Sequence, residues 1–262
     1  PQGAHPALRA WLTKAVPRSL HRARHILADS ASSRDDLIEL MDIPSKQITV
    51  IGAGVEERFR PVTDESALAR VRARYQLPDR FILCVSTLEP RKNLTGLIAA
   101  FNQLASATSS SPVADLHLVI AGGKGWLYDD IFAAAEASPV QERIHFAGFV
   151  DDADLPTLYS LASLFAFPSH YEGFGIPVLE AMACGTPVVC ADNSSLPEVA
   201  GDAALLVEAT DTDALAEAIH RLLVDVLLRE TLIERGPVQA KKFTWEGAAR
   251  RLLKVYSDMA ES

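Results

Sequence analysis

From about residue 46 to the end of the chain, short β-branched and aromatic runs alternate with longer amphipathic stretches. No other feature limits the fold as much. Strands buried on both faces read as unbroken apolar runs, and parallel pairing needs a helical crossover between successive strands. Strands are predicted at 47–51, 81–86, 116–121, 143–146, 164–167, 187–190 and 204–207. Helices are predicted at 64–75, 93–107, 127–137, 155–162, 178–183, 211–225, 227–234 and 245–261. The expected fold class is α/β, a Rossmann-like doubly wound parallel sheet covered by helices. Earlier in the chain, 25–29 reads as one more strand and Ser32-Ser33-Arg34-Asp35-Asp36 as a capped, acidic helix start. The Ser-, Thr- and Ala-rich segment 105–113 reads as a surface loop.

Within that frame, Tyr171-Glu172-Gly173-Phe174-Gly175-Ile176-Pro177-Val178-Leu179-Glu180 sets two carboxylates on either side of a glycine turn that runs into a helix start. Gly173 and Gly175 let backbone amides approach a ligand, and Pro177 suits the first helical position, where a missing N–H costs nothing. The N–H groups of Gly173, Phe174 and Gly175, with the helix start at Ile176, can meet a sugar or phosphate, while the Phe174 and Ile176 side chains serve packing. A helix N-terminus favours a phosphate, and Glu172 and Glu180 can accept hydrogen bonds from sugar hydroxyls. Arg91 and Lys92 lie between a strand end and the helix start at Asn93. Ligands collect at that place in open α/β sheets, and two adjacent cations can neutralise a diphosphate.

Other readings of the same residues are weaker. Two carboxylates alone would also suit glycoside hydrolysis, but the glycine turn and Arg91-Lys92 fit phosphate better than a bare glycosidic bond. Gly122-Gly123-Lys124-Gly125 lacks G-x-x-x-x-G-K-[ST], which removes a kinase or ATPase and leaves a glycine turn at a cleft rim. Gly52-Ala53-Gly54 gives only G-x-G before Val55-Glu56-Glu57, which argues against a dinucleotide-dependent oxidoreductase. The seven histidines offer no H-E-x-x-H, and no acid cluster has calcium-loop spacing, so no metal site is expected.

The words around the glycine turn are more specific. Phe167-Pro168-Ser169 precedes it, and Glu180-Ala181-Met182-Ala183-Cys184-Gly185-Thr186-Pro187 and Ser195-Leu196-Pro197-Glu198-Val199 follow. Together with Val85-Ser86-Thr87-Leu88-Glu89-Pro90-Arg91-Lys92-Asn93, Ala121-Gly122-Gly123 and Phe146-Ala147-Gly148-Phe149-Val150, the chain resembles the retaining GT-B glycosyltransferases of family 4 from about residue 25 to its end. In 86–93 and 122–128 it is similar to bacterial mannosyltransferases that build O-antigen and other surface polysaccharides. The resemblance implies metal-independent transfer of mannose from GDP-mannose to a glycan or lipid-linked acceptor, with no cofactor beyond the donor substrate. It also assigns roles. Arg91 and Lys92 would stabilise charge on the leaving diphosphate, Glu172 would contact hydroxyls of the transferred sugar, and Glu180 would bond the ribose. Gly122 would sit at the cleft rim, and the backbone at Phe149 and Val150 would contact the base.

Members of that family have two facing Rossmann-like domains in roughly 350 residues or more. On that expectation, residues 1–45 are the end of an acceptor domain, 46–243 a donor-binding domain, and 244–262 a helix crossing back. A nucleotide-sugar binder without turnover is then the alternative to a complete enzyme. A net charge of −9 and a pI near 5.3 disfavour nucleic acid as a partner. Cys84, Cys184 and Cys190 are odd in number and set in apolar runs, as buried thiols of a reducing compartment would be. No apolar run of about 18 residues marks a span, so a cytoplasmic protein is expected. Residues 1–28 carry Arg9, Lys14, Arg18, Arg22 and Arg24 with apolar residues at nearly helical spacing, which would suit a peripheral contact with an anionic membrane.

Overall fold

The computed structural model describes residues 6–105 and 113–261, so the predicted surface loop falls almost wholly outside the described residues. The chain runs α1 (Pro6–Arg22), β1 (Ile26–Ala28), α2 (Ala31–Met41), β2 (Ile48–Val50) and α3 (Glu65–Arg74). Next come β3 (Phe81–Val85), α4 (Leu94–Ala105), β4 (His117–Ala121), α5 (Asp129–Glu136), β5 (Ile144–Gly148), α6 (Leu155–Leu161) and β6 (Leu164–Phe167). It ends with α7 (Ile176–Ala183), β7 (Val188–Ala191), α8 (Leu196–Ala200), β8 (Ala204–Val207), α9 (Thr212–Val224), α10 (Val226–Ala240) and α11 (Trp245–Ala260).

Strands β3 to β8 form a six-stranded, all-parallel sheet in the order β5-β4-β3-β6-β7-β8. The doubly wound sheet expected from the sequence is therefore present. Its order steps one way from β3 and the other way from β6. Right-handed crossovers in opposite directions put helices on opposite faces, and two groups of touching helices result, α5, α4 and α9, and α3, α6, α7, α8 and α10, meeting where α10 follows α9. Because both faces are covered, β3, β4, β6 and β7 are almost completely buried apolar runs. Burying one such Ile, Leu or Phe contributes about 1.5–3 kcal/mol, which fixes the strand ends from which the functional loops depart. Cys84, Cys184 and Cys190 are free and buried, and burial pushes each thiol up to about 12.

The strand predicted at 47–51 does form, but not in this sheet. It pairs in parallel with β1, Ile26 opposite Ile48 and Ala28 opposite Val50, with α2 as the crossover. Ile26, Ala28, Ile43 and Ile48 close a small core under Leu37 and Ile38, so this βαβ unit buries its own apolar face. Two other differences have local causes. The five-residue α8 is too short for periodicity to reveal. Helix α10 runs past the expected end at 234, through Gly236 and Pro237, because that stretch packs on α7. A Cβ at Gly236 would stand 3.0 Å from the Met182 carbonyl oxygen, so glycine permits the close approach that holds the segment helical.

Candidate functional site

The strand order reverses between β3 and β6, and in open α/β sheets a crevice forms at such a point, outside the carboxyl ends of the strands. Two loops leave there, 86–93 after β3 and 168–175 after β6. Asn93 ties them together. It adopts the left-handed conformation at φ 53°, which asparagine tolerates better than most residues. Its Nδ2 donates to the carbonyls of Pro168 at 3.1 Å and Ala209 at 2.7 Å. The His170 N–H donates to the Arg91 carbonyl at 2.9 Å, and Arg91 Nη1 donates to the Tyr171 carbonyl at 2.7 Å.

These ties bring Arg91, Lys92 and Glu172 into one cluster. Lys92 Nζ lies 2.6 Å from Glu172 Oε1, and Arg91 Nη1 lies 2.8 Å from Glu172 Oε2. Arg91 also donates from Nη2 and Nε to Glu89 Oε1, at 2.6 and 3.0 Å. The side chains of Glu89, Glu172 and Lys92 are only 3%, 10% and 11% exposed, so these three must be compensated away from water, by one another and by Arg91, which is 37% exposed. Lys92 Nζ also sits 5.1 Å from the centre of the Phe167 ring. The Glu172 backbone is clamped: its N–H donates to Ser194 Oγ at 3.0 Å, and Ser195 Oγ lies 3.0 and 2.8 Å from the carbonyls of Glu172 and Phe174. The sequence reading gave no role to Glu89, Ser194 or Ser195. An acid two residues before Arg91 was the available signal for Glu89; Ser195 opens one of the words that carry the resemblance, whereas Ser194, in a loop about twenty residues further on, had no signal.

Past Glu172 the backbone turns into α7. Among the described residues the N–H groups of Gly173, Phe174 and Gly175 have no acceptor. Gly175 is the N-cap of α7 at φ 107°, and a Cβ there would meet Leu196 Cδ2 at 2.7 Å, so the turn requires glycine. Ile176 is the first helical residue, which puts Pro177 second rather than first. As expected, Phe174 and Ile176 pack inward; Phe174 stands edge-on to Phe243 at 5.7 Å.

Glu180 lies in a different environment, one turn into α7, where Tyr159 Oη donates to Glu180 Oε2 at 2.8 Å. Burial raises the carboxyl pKa from 4.5 to about 7, against the lowering effect of the Tyr159 hydroxyl and the Arg58 charge. The nearby segment 56–58 is joined to the loop after β5 by Arg58 Nη1, which donates to the Asp152 carbonyl at 2.5 Å. In that loop Phe149 is exposed and Val150 buried, and among the described residues their N–H groups have no acceptor. Gly122 differs. Its N–H is engaged by the Gly148 carbonyl at 2.8 Å, and its φ of 143° lets it pass the Ser86 carbonyl oxygen, which a Cβ would approach to 1.9 Å.

A carboxyl with a raised native pKa contributes most to stability while protonated, below the unfolded value near 4.5, and that contribution is lost as pH rises through about 7. Thermal unfolding of the wild type is therefore expected to fall by a few degrees between about pH 5 and pH 8, and Glu180→Gln to flatten that slope. An unchanged slope in the variant would show that Glu180 is not the titrating group.

Beside the Arg91 cluster, between α2 and the loops after β3, β4 and β6, lies a cavity of about 1270 Å³ whose lining includes Arg91, Trp126, His170 and Tyr171. Tyr171 Oη donates to Asp36 across it, and Ser33 Oγ donates to the Gly173 carbonyl at 3.3 Å. Helix α11 lies apart from this cavity, packed near 51–53 and Phe174, with Arg251 Nε donating to the Ile51 carbonyl at 2.7 Å. Among the described residues no three His, Cys, Asp or Glu side chains are grouped to hold a metal ion.

Residues 69–239 match the model of the family described as glycosyl transferases group 1. The chain is 37% identical over 254 residues to the O-antigen chain mannosyltransferase B of Escherichia coli, an alignment covering 96% of this chain and 65% of that protein. It is 32% identical over 250 residues to the D-inositol 3-phosphate glycosyltransferase of Salinispora tropica, covering 90% and 51% respectively. The fold superposes on sucrose-phosphate synthase from Thermosynechococcus elongatus with a TM-score of 0.80 at 29% identity, over 100% of this chain and 64% of that one. Anabaena HepE in complex with UDP-glucose has the same fold, with a TM-score of 0.82 at 22% identity, over 95% and 68%. The chain thus spans about half to two thirds of the length of these proteins.

Proposed function

The chain belongs to the glycosyl transferases group 1 family, and on that premise we propose that it transfers mannose from GDP-mannose to a glycan or lipid-linked acceptor with retention at the anomeric carbon. One observation carries the reading: Arg91, Lys92 and three acceptor-less N–H groups converge at the switch point of the sheet, where a diphosphate can take over hydrogen bonds now made by Glu172. In the reaction, the bond from the sugar C1 to the phosphate oxygen breaks and its electron pair goes to the phosphate. The acceptor hydroxyl oxygen bonds to C1, and its proton leaves with the phosphate. Arg91, Lys92 and the N-terminus of α7 face the growing charge, the kind of preorganised stabilisation that supplies a large share of a rate enhancement. Glu172, clamped through its backbone by Ser194 and Ser195, stands beside the cations and positions sugar hydroxyls once the diphosphate has displaced it. Glu180 then takes the ribose, and the backbone at Phe149 and Val150 the base.

Mannose rests on similarity to mannosyltransferases, and guanine rests on mannose. A binder without turnover finds no support among the relatives, whose names describe transferases or a synthase. No described helix is long and apolar enough to cross a membrane. Helix α1 is cationic, with Trp11 and Leu8 exposed, and it supplies a peripheral contact with anionic lipid.

The test is a thermal-shift panel of GDP, UDP, ADP and NAD, in buffer and in EDTA, since a ligand bound only by the native state raises its stability by mass action. GDP is expected to give the largest shift, unchanged by EDTA, because cationic side chains and amides replace a divalent ion. A larger response to UDP would overturn the guanine assignment, and loss of binding on chelation would overturn metal independence.

A further inference from the structure

The loop after β4 is tied down and ends in an exposed pair, Trp126 and a strained Leu127. Gly125 N–H donates to the Leu88 carbonyl at 3.1 Å and Leu88 N–H to the Gly123 carbonyl at 2.9 Å, which fastens the loop to the segment after β3. Lys124 Nζ stands 5.0 Å over the ring of Tyr128 and 5.1 Å over that of Phe132. Leu127, a bulky residue, is locked at φ 53° and is still half exposed. Left-handed backbone at such a residue costs of order 1–3 kcal/mol and persists only where the surroundings impose it, as they do at ligand clamps. Here the imposed geometry presents Trp126 and Leu127 to the 1270 Å³ cavity that also reaches Arg91.

The charges around that cavity are one-sided. Asp29, Asp36 and Asp130 line it, and none of them forms a salt bridge among the described residues, although Asp36 already accepts the Tyr171 hydroxyl. Among the described residues Arg91 is the only arginine or lysine on its wall, beside a single histidine, His170, and Arg91 is already bonded to Glu89 and Glu172. With the donor diphosphate on Arg91, a phosphorylated acceptor would meet three carboxylates and no second arginine or lysine. A neutral polyol would find acceptors for its hydroxyls, with an aromatic and aliphatic platform for the apolar face of a sugar ring.

We infer that this cavity receives the acceptor as a neutral saccharide end whose ring lies on Trp126, and that it rejects acceptors carrying a phosphate beside the reacting hydroxyl. The inference rests on the transferase reading above, because it is adjacency to Arg91 that makes the cavity an acceptor site.

The experiment titrates an α-linked mannotriose, and separately D-inositol 3-phosphate, into the chain with and without GDP, following tryptophan fluorescence and calorimetric heat. Mannotriose is expected to bind the wild type, Trp126→Ala to weaken it about tenfold, and Trp126→Phe to stay within about threefold. GDP affinity should be the same in all three proteins. Mannotriose binding indifferent to Trp126→Ala, or inositol phosphate binding as tightly as mannotriose, would overturn the inference. Failure of the wild type to bind GDP would instead sink the donor-site reading, while the nucleotide-free titrations still decide whether the cavity holds a saccharide.

Discussion

Replacing Lys92 with Ala is expected to weaken GDP binding about 10- to 150-fold and to leave guanosine binding within about threefold. The asymmetry follows from what Lys92 touches: its ammonium bonds Glu172 Oε1 at 2.6 Å and lies at the switch point, away from the loop assigned to the base. A charge-assisted hydrogen bond lost to phosphate is worth about 1.5–3 kcal/mol, which sets the range. The same substitution should also lower stability. Lys92 and Glu172 are about one-tenth exposed, and removing one partner of a buried pair costs about 3–5 kcal/mol because the other charge stays desolvated. Stability and binding can then be separated with the double variant Lys92→Ala, Glu172→Gln. That variant should regain much of the lost stability, because no net charge is left uncompensated by the deletion, yet it should still bind GDP poorly. Calorimetry with GDP and guanosine, beside thermal unfolding of both variants, decides the matter. Equal loss for the two ligands would remove Lys92 from the phosphate site.

Much of this cluster was legible in the sequence because its parts lie at strand ends. Arg91 and Lys92 follow an apolar run that can only be a buried strand, and the Glu172 turn follows another, so a doubly wound sheet brings them together once the strand order is right. What could not be read is the direction in which the charges are spent. In the structure Arg91 is shared between Glu89 and Glu172, a pairing that depends on the left-handed backbone at Asn93 and on hydrogen bonds reaching Pro168 and Ala209. Asn93 is close to Arg91 in sequence, but its partners are 75 and 116 residues away. The same limit explains β2. Its apolar pattern identified a strand correctly, yet sheet membership depends on which partner is available, and β1 with α2 offered a complete unit. The cavity was the least legible part. It is built from α2 and three loops that no local pattern relates, and its one sequence-level hint was the glycine-rich run leading to Trp126.

Glu172→Gln is expected to separate chemistry from nucleotide binding more sharply than any other substitution in the site. In the unliganded protein the Glu172 carboxylate satisfies both Arg91 and Lys92, so an incoming diphosphate must compete with it for those cations. Glutamine is nearly the same size but carries no charge. The cluster then moves from electrical balance to one positive charge, and GDP should bind at least as tightly as to wild type. The unliganded variant should be less stable, because Lys92 loses its only counter-ion partner among the described residues, and GDP should therefore produce a larger thermal shift than in wild type. Transfer should nonetheless fall about 10²–10³-fold, the usual cost of removing one well-placed electrostatic contact to the reacting group. Glu180→Gln should do the reverse, weakening GDP itself, because that carboxyl sits apart from the cations beside Tyr159 and the loop assigned to the nucleoside. Measuring GDP affinity and sugar transfer for both variants gives a two-by-two comparison. If Glu172→Gln lost GDP as severely as Glu180→Gln, the carboxylate would be holding the nucleotide rather than the sugar, and the division of labour between the two acids would have to be abandoned.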